Sequence, residues 1–191
     1  LNAASSAVSL YAGSIGALGI GPGILLTSGD GSPPLSNTAS NYSVNLGRGG
    51  DADLGAVAKA AFAGSGATSD ASTLSFSFEV IDKDVIQISL DVVFGSDEFP
   101  EYSNTSFVDV GAVFINGKNY ALFKNDAQQP LSIIDDNLAA GNFHTGLPIE
   151  YDGVSSVLNI VAPVKQGINT IKIGVADTGD HIFDSGIFVS N

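Results

Sequence analysis

The chain contains no cysteine, methionine or tryptophan, and only seven lysines and arginines stand against 20 aspartates and glutamates. Without cysteine there is no disulfide framework, no thiolate zinc site and no thiol nucleophile. The joint lack of Cys and Met leans towards an extracellular protein. A formal net charge of −13 removes the electrostatic footprint of a nucleic-acid binder. It also opposes docking on anionic lipid. Divalent cations and basic or polar ligands remain as partners. No apolar run reaches the roughly 18 residues that span a bilayer, so a soluble chain without membrane insertion is expected. A basic n-region with an apolar h-region is missing at the N-terminus, so Leu1 reads as the start of a mature form or of a segment from a longer chain.

What the sequence does have is apolar bulk: 44% of its 191 residues are hydrophobic and only 14% charged. That is enough to bury a sizeable core, and one domain over 1–191 is expected. Residues 1–50 are rich in Gly, Ala, Ser and Asn, with Gly and Pro breaking them into short strands and turns; Ile24, Leu25 and Leu26 form a buried strand candidate. In 51–62, Asp51 or Asp53 can cap a short helix whose Leu54, Val57, Ala58 and Ala61 share one face. From Thr73 onward the period is two. Leu74, Phe76, Phe78 and Val80 alternate with polar residues, as do Ile86, Ile88, Leu90, Val92 and Phe94, and Asp82-Lys83-Asp84 reads as a hairpin-length loop between them. Further strands are expected at 108–116, 119–123, 155–162, 170–176 and 182–189, with a turn at Asn116-Gly117. The pattern predicts a mainly β fold: an antiparallel β-sandwich with one short helix.

Nine of the 20 acids fall in three loop regions. Asp97, Glu98, Glu101 and Asp109 follow one strand, Glu150 and Asp152 precede another, and Asp177, Asp180 and Asp184 lie between the last two. None of these regions holds a Lys or Arg. Carboxylates brought together repel, and a buried one must protonate or find a cation. A hard cation answers this: Ca²⁺ takes about 6–8 oxygens from carboxylates, amides, backbone carbonyls and water in flexible loops. Asn104, Asn142, Gly95, Gly153 and Gly179 suit such loops. The bland alternative is a solvated acidic surface that keeps the protein soluble.

Other motifs lead nowhere. No EF-hand loop is present, and the single Gly49-Gly50-Asp51-Ala52-Asp53 echo of a calcium-binding nonapeptide cannot build a β-roll. Asp177-Thr178-Gly179 matches half of an aspartic-protease dyad, but that chemistry needs two such aspartates. No Gly-x-Ser-x-Gly elbow accompanies His144 or His181. Gly16 to Gly23 is glycine-rich without a convincing strand before it, so a nucleotide fingerprint is unsupported. No coherent acid–base pair emerges, and a non-catalytic protein is expected.

Several runs, in order, resemble the choice-of-anchor L domain family. They are Gly23-Ile24-Leu25-Leu26-Thr27-Ser28-Gly29, the Asp53-Leu54 pair, residues 74–78, Val93-Phe94-Gly95-Ser96-Asp97-Glu98-Phe99-Pro100-Glu101-Tyr102, Phe107-Val108-Asp109-Val110, Phe114-Ile115-Asn116-Gly117, Tyr151-Asp152-Gly153 and Ala176-Asp177 through Phe183-Asp184-Ser185-Gly186. The sequence departs from the family pattern at Asp97 (usually Glu), Phe99 (usually Tyr) and Val108 (usually Asn). The resemblance implies a calcium-containing sandwich from a large extracellular protein of the bacterial cell surface. Similar domains are peptide-binding modules of giant RTX adhesins of the biofilm kind, where bound Ca²⁺ helps to capture the free C-terminus of a protein on a host or neighbouring cell. Together with the acidic loops it nominates Asp97, Glu98, Glu101, Asp109, Asp152, Asp177, Asp180 and Asp184 as ligands for several Ca²⁺ ions. Tyr102, Asn104, Tyr151 and His181 are candidates for touching the ligand of a monomeric module. A calcium-rigidified spacer and a calcium-dependent glycan binder are the competing readings.

Overall fold

The computed structural model describes residues 1–12 and 18–190. Residues 16 and 17 of the glycine-rich run therefore lie outside the described residues. Two antiparallel sheets face each other. One holds β1 (Val8–Tyr11), β2 (Gly23–Thr27), β11 (Ser185–Ser190), β4 (Gln87–Ser96), β8 (Gly153–Ser155) and β7 (Phe143–His144) in that order, with β9 (Leu158–Pro163) also paired to β4. The other has the order β3 (Thr68–Val80), β10 (Gly167–Thr178), β5 (Val110–Ile115), β6 (Lys118–Asn119). Between them Leu26, Phe94, Val113, Ile115, Ile133, Ile173, Val175 and Ile187 make the main core. This is the expected β-sandwich.

The helix α1 (Ala52–Ala61) forms as its sequence requires: the Asp51 side chain accepts from Asp53 N and Leu54 N, filling two donors that a first turn leaves open. Leu54 and Ala58 then pack on Ala71, Val110, Ala112 and Ala176, so α1 closes one end of the smaller sheet's outer face. On the larger sheet, Leu18, Ile20, Ile149 and Tyr151 cover Leu25, Val93 and Phe188. That cover buries β4 on both faces from Val92 to Ser96, although its sequence alternates.

Three expectations are corrected. The loop at Asp82-Lys83-Asp84 is not a hairpin, because β3 pairs with β10 while β4 pairs with β8, β9 and β11. The chain crosses between sheets there, and alternation alone does not name a strand's partner. A second helix, α2 (Asp135–Ala139), is present besides α1. The strand expected over 155–162 is interrupted between β8 and β9, and of 119–123 only the start is strand. The Asn116-Gly117 turn joins β5 to β6 as expected, both residues left-handed (φ 50° and 81°), as a two-residue hairpin requires.

Candidate functional site

The three acidic loops meet at one end of the sandwich. Asp97 N donates to Asp184 O (3.1 Å), tying the loop after β4 to the one before β11. Asp109 is the bracket: its Oδ1 accepts from Thr178 N (3.0 Å) and its Oδ2 from Ser185 Oγ (2.7 Å). Asp109 N in turn donates to Glu98 Oε2 (3.2 Å). The loop carrying Glu150 and Asp152 joins through the β4–β8 pairing of Gly95 with Val154.

Convergence leaves a set of buried carboxyls. Asp97 and Glu98 are each 1% exposed, and Asp109, Asp177 and Asp184 are fully buried. Among the described residues, both oxygens of Asp97, both of Asp177, Glu98 Oε1 and Asp184 Oδ1 have no hydrogen-bond partner. No cation neutralises them: among the described residues, the ion pairs are those of Lys172 with Asp51 and Asp53, and of His181 with Asp70. Burial, reinforced by the charges of Asp152, Glu150 and Asp184, pushes Asp97 up to about 7. Burial and the charge of Asp70 likewise push Asp184 up to about 7. Glu98 is driven to about 10, chiefly by burial and then by Asp177 and Asp180. Asp109 and Asp177 rise well above the usual carboxylate range, again through burial first and then through each one's acidic neighbours.

Two acids outside the nominated set hold an irregular strap over this end. Glu150 is fully buried and accepts from Thr38 N, Thr38 Oγ1 and Ala39 N at 2.7 to 3.1 Å. Asp184 Oδ2 takes Val44 N (2.8 Å), and buried Asp70 takes Leu46 N (3.0 Å) and Arg48 N. The side chain at position 29 has to be absent, since a Cβ there would lie 1.7 Å from Asp184 Oδ2. Tyr42 in the strap is pushed up to about 12 by burial and by Asp30, Asp184, Glu150 and Asp97. Asp70 escaped the sequence reading because it sits in β3, away from the acidic loops. In the structure it is a left-handed aspartate (φ 45°) beside the register shift between Val175 and Asp177.

The remaining nominated residues are arranged differently. Glu101 is exposed, whereas Asp152 and Asp180 are half-buried. Asp152 accepts from Asn37 Nδ2, and Asp180 Oδ1 turns back to Ile182 N (3.2 Å). Tyr102 packs its ring against Phe183 and Phe107 (centroids 5.0 and 6.1 Å). Asn104 is exposed, and its Oδ1 accepts from Asp135 N (3.3 Å) at the start of α2. His181 Nδ1 is 3.0 Å from Asp70 Oδ2. Tyr151 is 2% exposed, and its ring fills the space a side chain at Gly95 or Gly186 would occupy. Beside the buried acids a cleft of about 490 Å³ opens between Asn37, Ser40, Phe99, Glu101, Thr145 and Asp152.

A resident calcium ion fits the chemistry of these donors, since hard, charged and otherwise unpartnered oxygens are what it takes. Among the described residues, however, no three His, Asp or Glu side chains converge on one point. An ion here would complete its shell with backbone carbonyls, hydroxyls and water. Asp177 of Asp177-Thr178-Gly179 is enclosed at the end of β10 with no exposed surface.

A model of the choice-of-anchor L domain matches residues 2–191. The chain belongs to that family. Choice-of-anchor domains are associated with cell surfaces, and membership points to a non-catalytic binding domain. No curated protein matches the chain. Two solved structures are weakly similar. One is a family 35 carbohydrate binding module from an environmental isolate, with 16% identity, TM-score 0.29, and 63% of this chain covering 66% of that one. The other is a family 35 carbohydrate binding module from Clostridium thermocellum, with 14% identity, TM-score 0.27, and 96% covering 98%. At these TM-scores neither likeness bears on the ligand of this choice-of-anchor L domain. No helix among its described residues is long and apolar enough to cross a membrane.

Proposed function

We propose that this choice-of-anchor L domain is a calcium-dependent ligand-binding module of a bacterial adhesin, displayed outside the cell and directed at a protein or peptide of another surface. One observation carries the reading: among the described residues, six buried carboxylate oxygens on Asp97, Glu98, Asp177 and Asp184 have neither a hydrogen-bond donor nor a cation. Leaving several ionised carboxylates unpaired in the interior is strongly unfavourable. Asp97, Glu98, Asp177 and Asp184 would hold the ions, and Asp109 keeps their loops in place through its bonds to Thr178 and Ser185. Calcium, when bound, supplies a doubly positive centre within an otherwise acidic rim. The cleft beside it is lined by the apolar ring of Phe99 together with polar Asn37 and Ser40. Glu101 and Asp152 line that cleft, and Tyr102, Asn104 and His181 are the further residues that would meet a bound segment.

The test is a calcium titration by calorimetry, repeated with peptides bearing free or amidated C-termini. Saturable calcium binding that is lost in Asp97→Asn and Asp177→Asn variants is expected. In calcium the domain is then expected to retain peptides with free C-termini and to release them on chelation. Absence of a calcium heat in the folded wild-type chain overturns the metal assignment. Calcium binding without retention of any peptide or sugar leaves a calcium-braced spacer as the correct reading.

A further inference from the structure

The acids that would hold calcium are closed off from solvent. Asp97, Glu98, Asp177 and Asp184 are at most 1% exposed, and their unpartnered oxygens lie beneath the surface. A hydrated cation reaches them only when a covering segment moves. Three of the segments around them are anchored by apolar packing. Phe99 and Tyr102 of the loop after β4 lie against the main core, Phe183 of the loop before β11 stacks near Tyr102 (centroids 5.0 Å), and Tyr151 belongs to the second cluster. The strap over residues 37–48 is anchored otherwise. None of its residues is fully buried, and none of its side chains joins the apolar clusters of the described residues. Hydrogen bonds to acids hold it down, and segments with few buried apolar contacts open locally long before the whole fold does.

We infer that the strap over residues 37–48 is the gate of the calcium site: it lifts off Glu150 and Asp184 to let an ion pass and closes again behind it. The inference rests on the calcium reading. Asp184 is where strap and site meet. Its N donates to Tyr42 O (3.1 Å) and its Oδ2 accepts from Val44 N (2.8 Å), while Oδ1 is left unpartnered. Glu150 is the second fastener: both of its oxygens are taken by Thr38 and Ala39 of the strap, so it holds the gate rather than the ion. Lid motions of this kind run on microsecond-to-millisecond timescales. Ion exchange through the strap is therefore slower than encounter with an open acidic surface, and its rate is set by the strap's own hydrogen bonds. Asn37 and Ser40 of the strap also line the cleft beside the acids, so the same motion opens and closes one wall of that cleft.

The probe is calcium alone. Release from the loaded 191-residue chain is followed by stopped-flow mixing with a fluorescent chelator, and uptake by the depletion of a calcium indicator dye. Thr38→Val keeps every charge and removes the bond from Thr38 Oγ1 to Glu150 Oε2 (2.9 Å). It should speed release and uptake alike, each by at least about fivefold, and move the dissociation constant by less than about twofold, because a gate changes both directions equally. Amides of Ala39 and Val44 should exchange faster by the same factor as release. Glu150→Gln, which turns a donor towards the same amides, should speed release further. Thr105→Val, which removes a comparable bond to Tyr102 O in the loop after β4 (2.6 Å), should alter neither rate. Release unchanged in both strap variants, release that speeds only in proportion to lost affinity in Thr38→Val, or an equal effect of Thr105→Val overturns the gate and leaves the calcium reading standing. A folded wild-type chain that takes up no calcium overturns both.

Discussion

Asp51 holds α1 and the smaller sheet together with one carboxylate. Its Oδ1 accepts from Asp53 N and Leu54 N (3.0 and 3.1 Å), while Lys172 Nζ from β10 lies 2.7 Å from both oxygens. Burial alone would raise its pKa, but the ammonium and the helix amides outweigh burial and hold it below the usual range. A carboxyl lowered in this way stabilises the fold above its unfolded pKa, and that contribution disappears as pH falls through the folded value. Asp51→Ala, losing cap and ion pair, should destabilise the domain by about 1–2 kcal/mol in urea unfolding at neutral pH. Asp51→Asn keeps a capping oxygen and should lose about half as much, and its difference from the wild type should vanish in acid. This residue was legible in advance because capping is local. The partner Lys172 was not, being 121 positions away.

At the scale of elements, the strap over residues 37–48 is ordered from outside itself. It contains no strand or helix, and its backbone donors end on Glu150, Asp184 and Asp70, which belong to three other parts of the chain. Hydrogen bonds to a charged acceptor are worth more than neutral ones. Glu150→Gln replaces one acceptor oxygen with a donor amide facing Thr38 N and Ala39 N, and should cost about 2 kcal/mol of local stability. Hydrogen exchange of residues 38 and 39 should then speed up by at least about tenfold, while β4 and β11 exchange as before. Composition marked this segment as irregular but said nothing of its anchors. Likewise, α1 was readable from its cap and apolar face, whereas β3 and β4 were readable as strands but not as members of opposite sheets. Periodicity reports which faces are buried, and pairing is decided by residues far along the chain.

For the whole molecule, the buried acids predict that calcium reverses the sign of the pH dependence. In chelator, Asp97 and Asp184 hold protons more tightly when folded, with values near 7. A raised carboxyl stabilises the fold below the unfolded value of about 4, and that stabilisation is lost as pH climbs through the folded one. The metal-free domain should therefore melt lower at about pH 8 than at about pH 5. With calcium about a hundredfold above its dissociation constant, one site adds about 2.7 kcal/mol, or several degrees, and only while its carboxylates are ionised, so the order of the two melting temperatures should invert. Identical melting profiles with calcium and with chelator would contradict this. The amino-acid sequence by itself determined the fold class, the helix, the Asn116-Gly117 hairpin and the presence of acidic loops, because each depends on short-range pattern or on composition. Only the tertiary structure decided which acids lose their water, that Asp109 and Glu150 are satisfied brackets while Asp97 and Asp177 have no partner among the described residues, and that Tyr151 is enclosed. Burial and hydrogen bonding there are set by strands and loops from distant parts of the chain, and no local pattern encodes that enclosure.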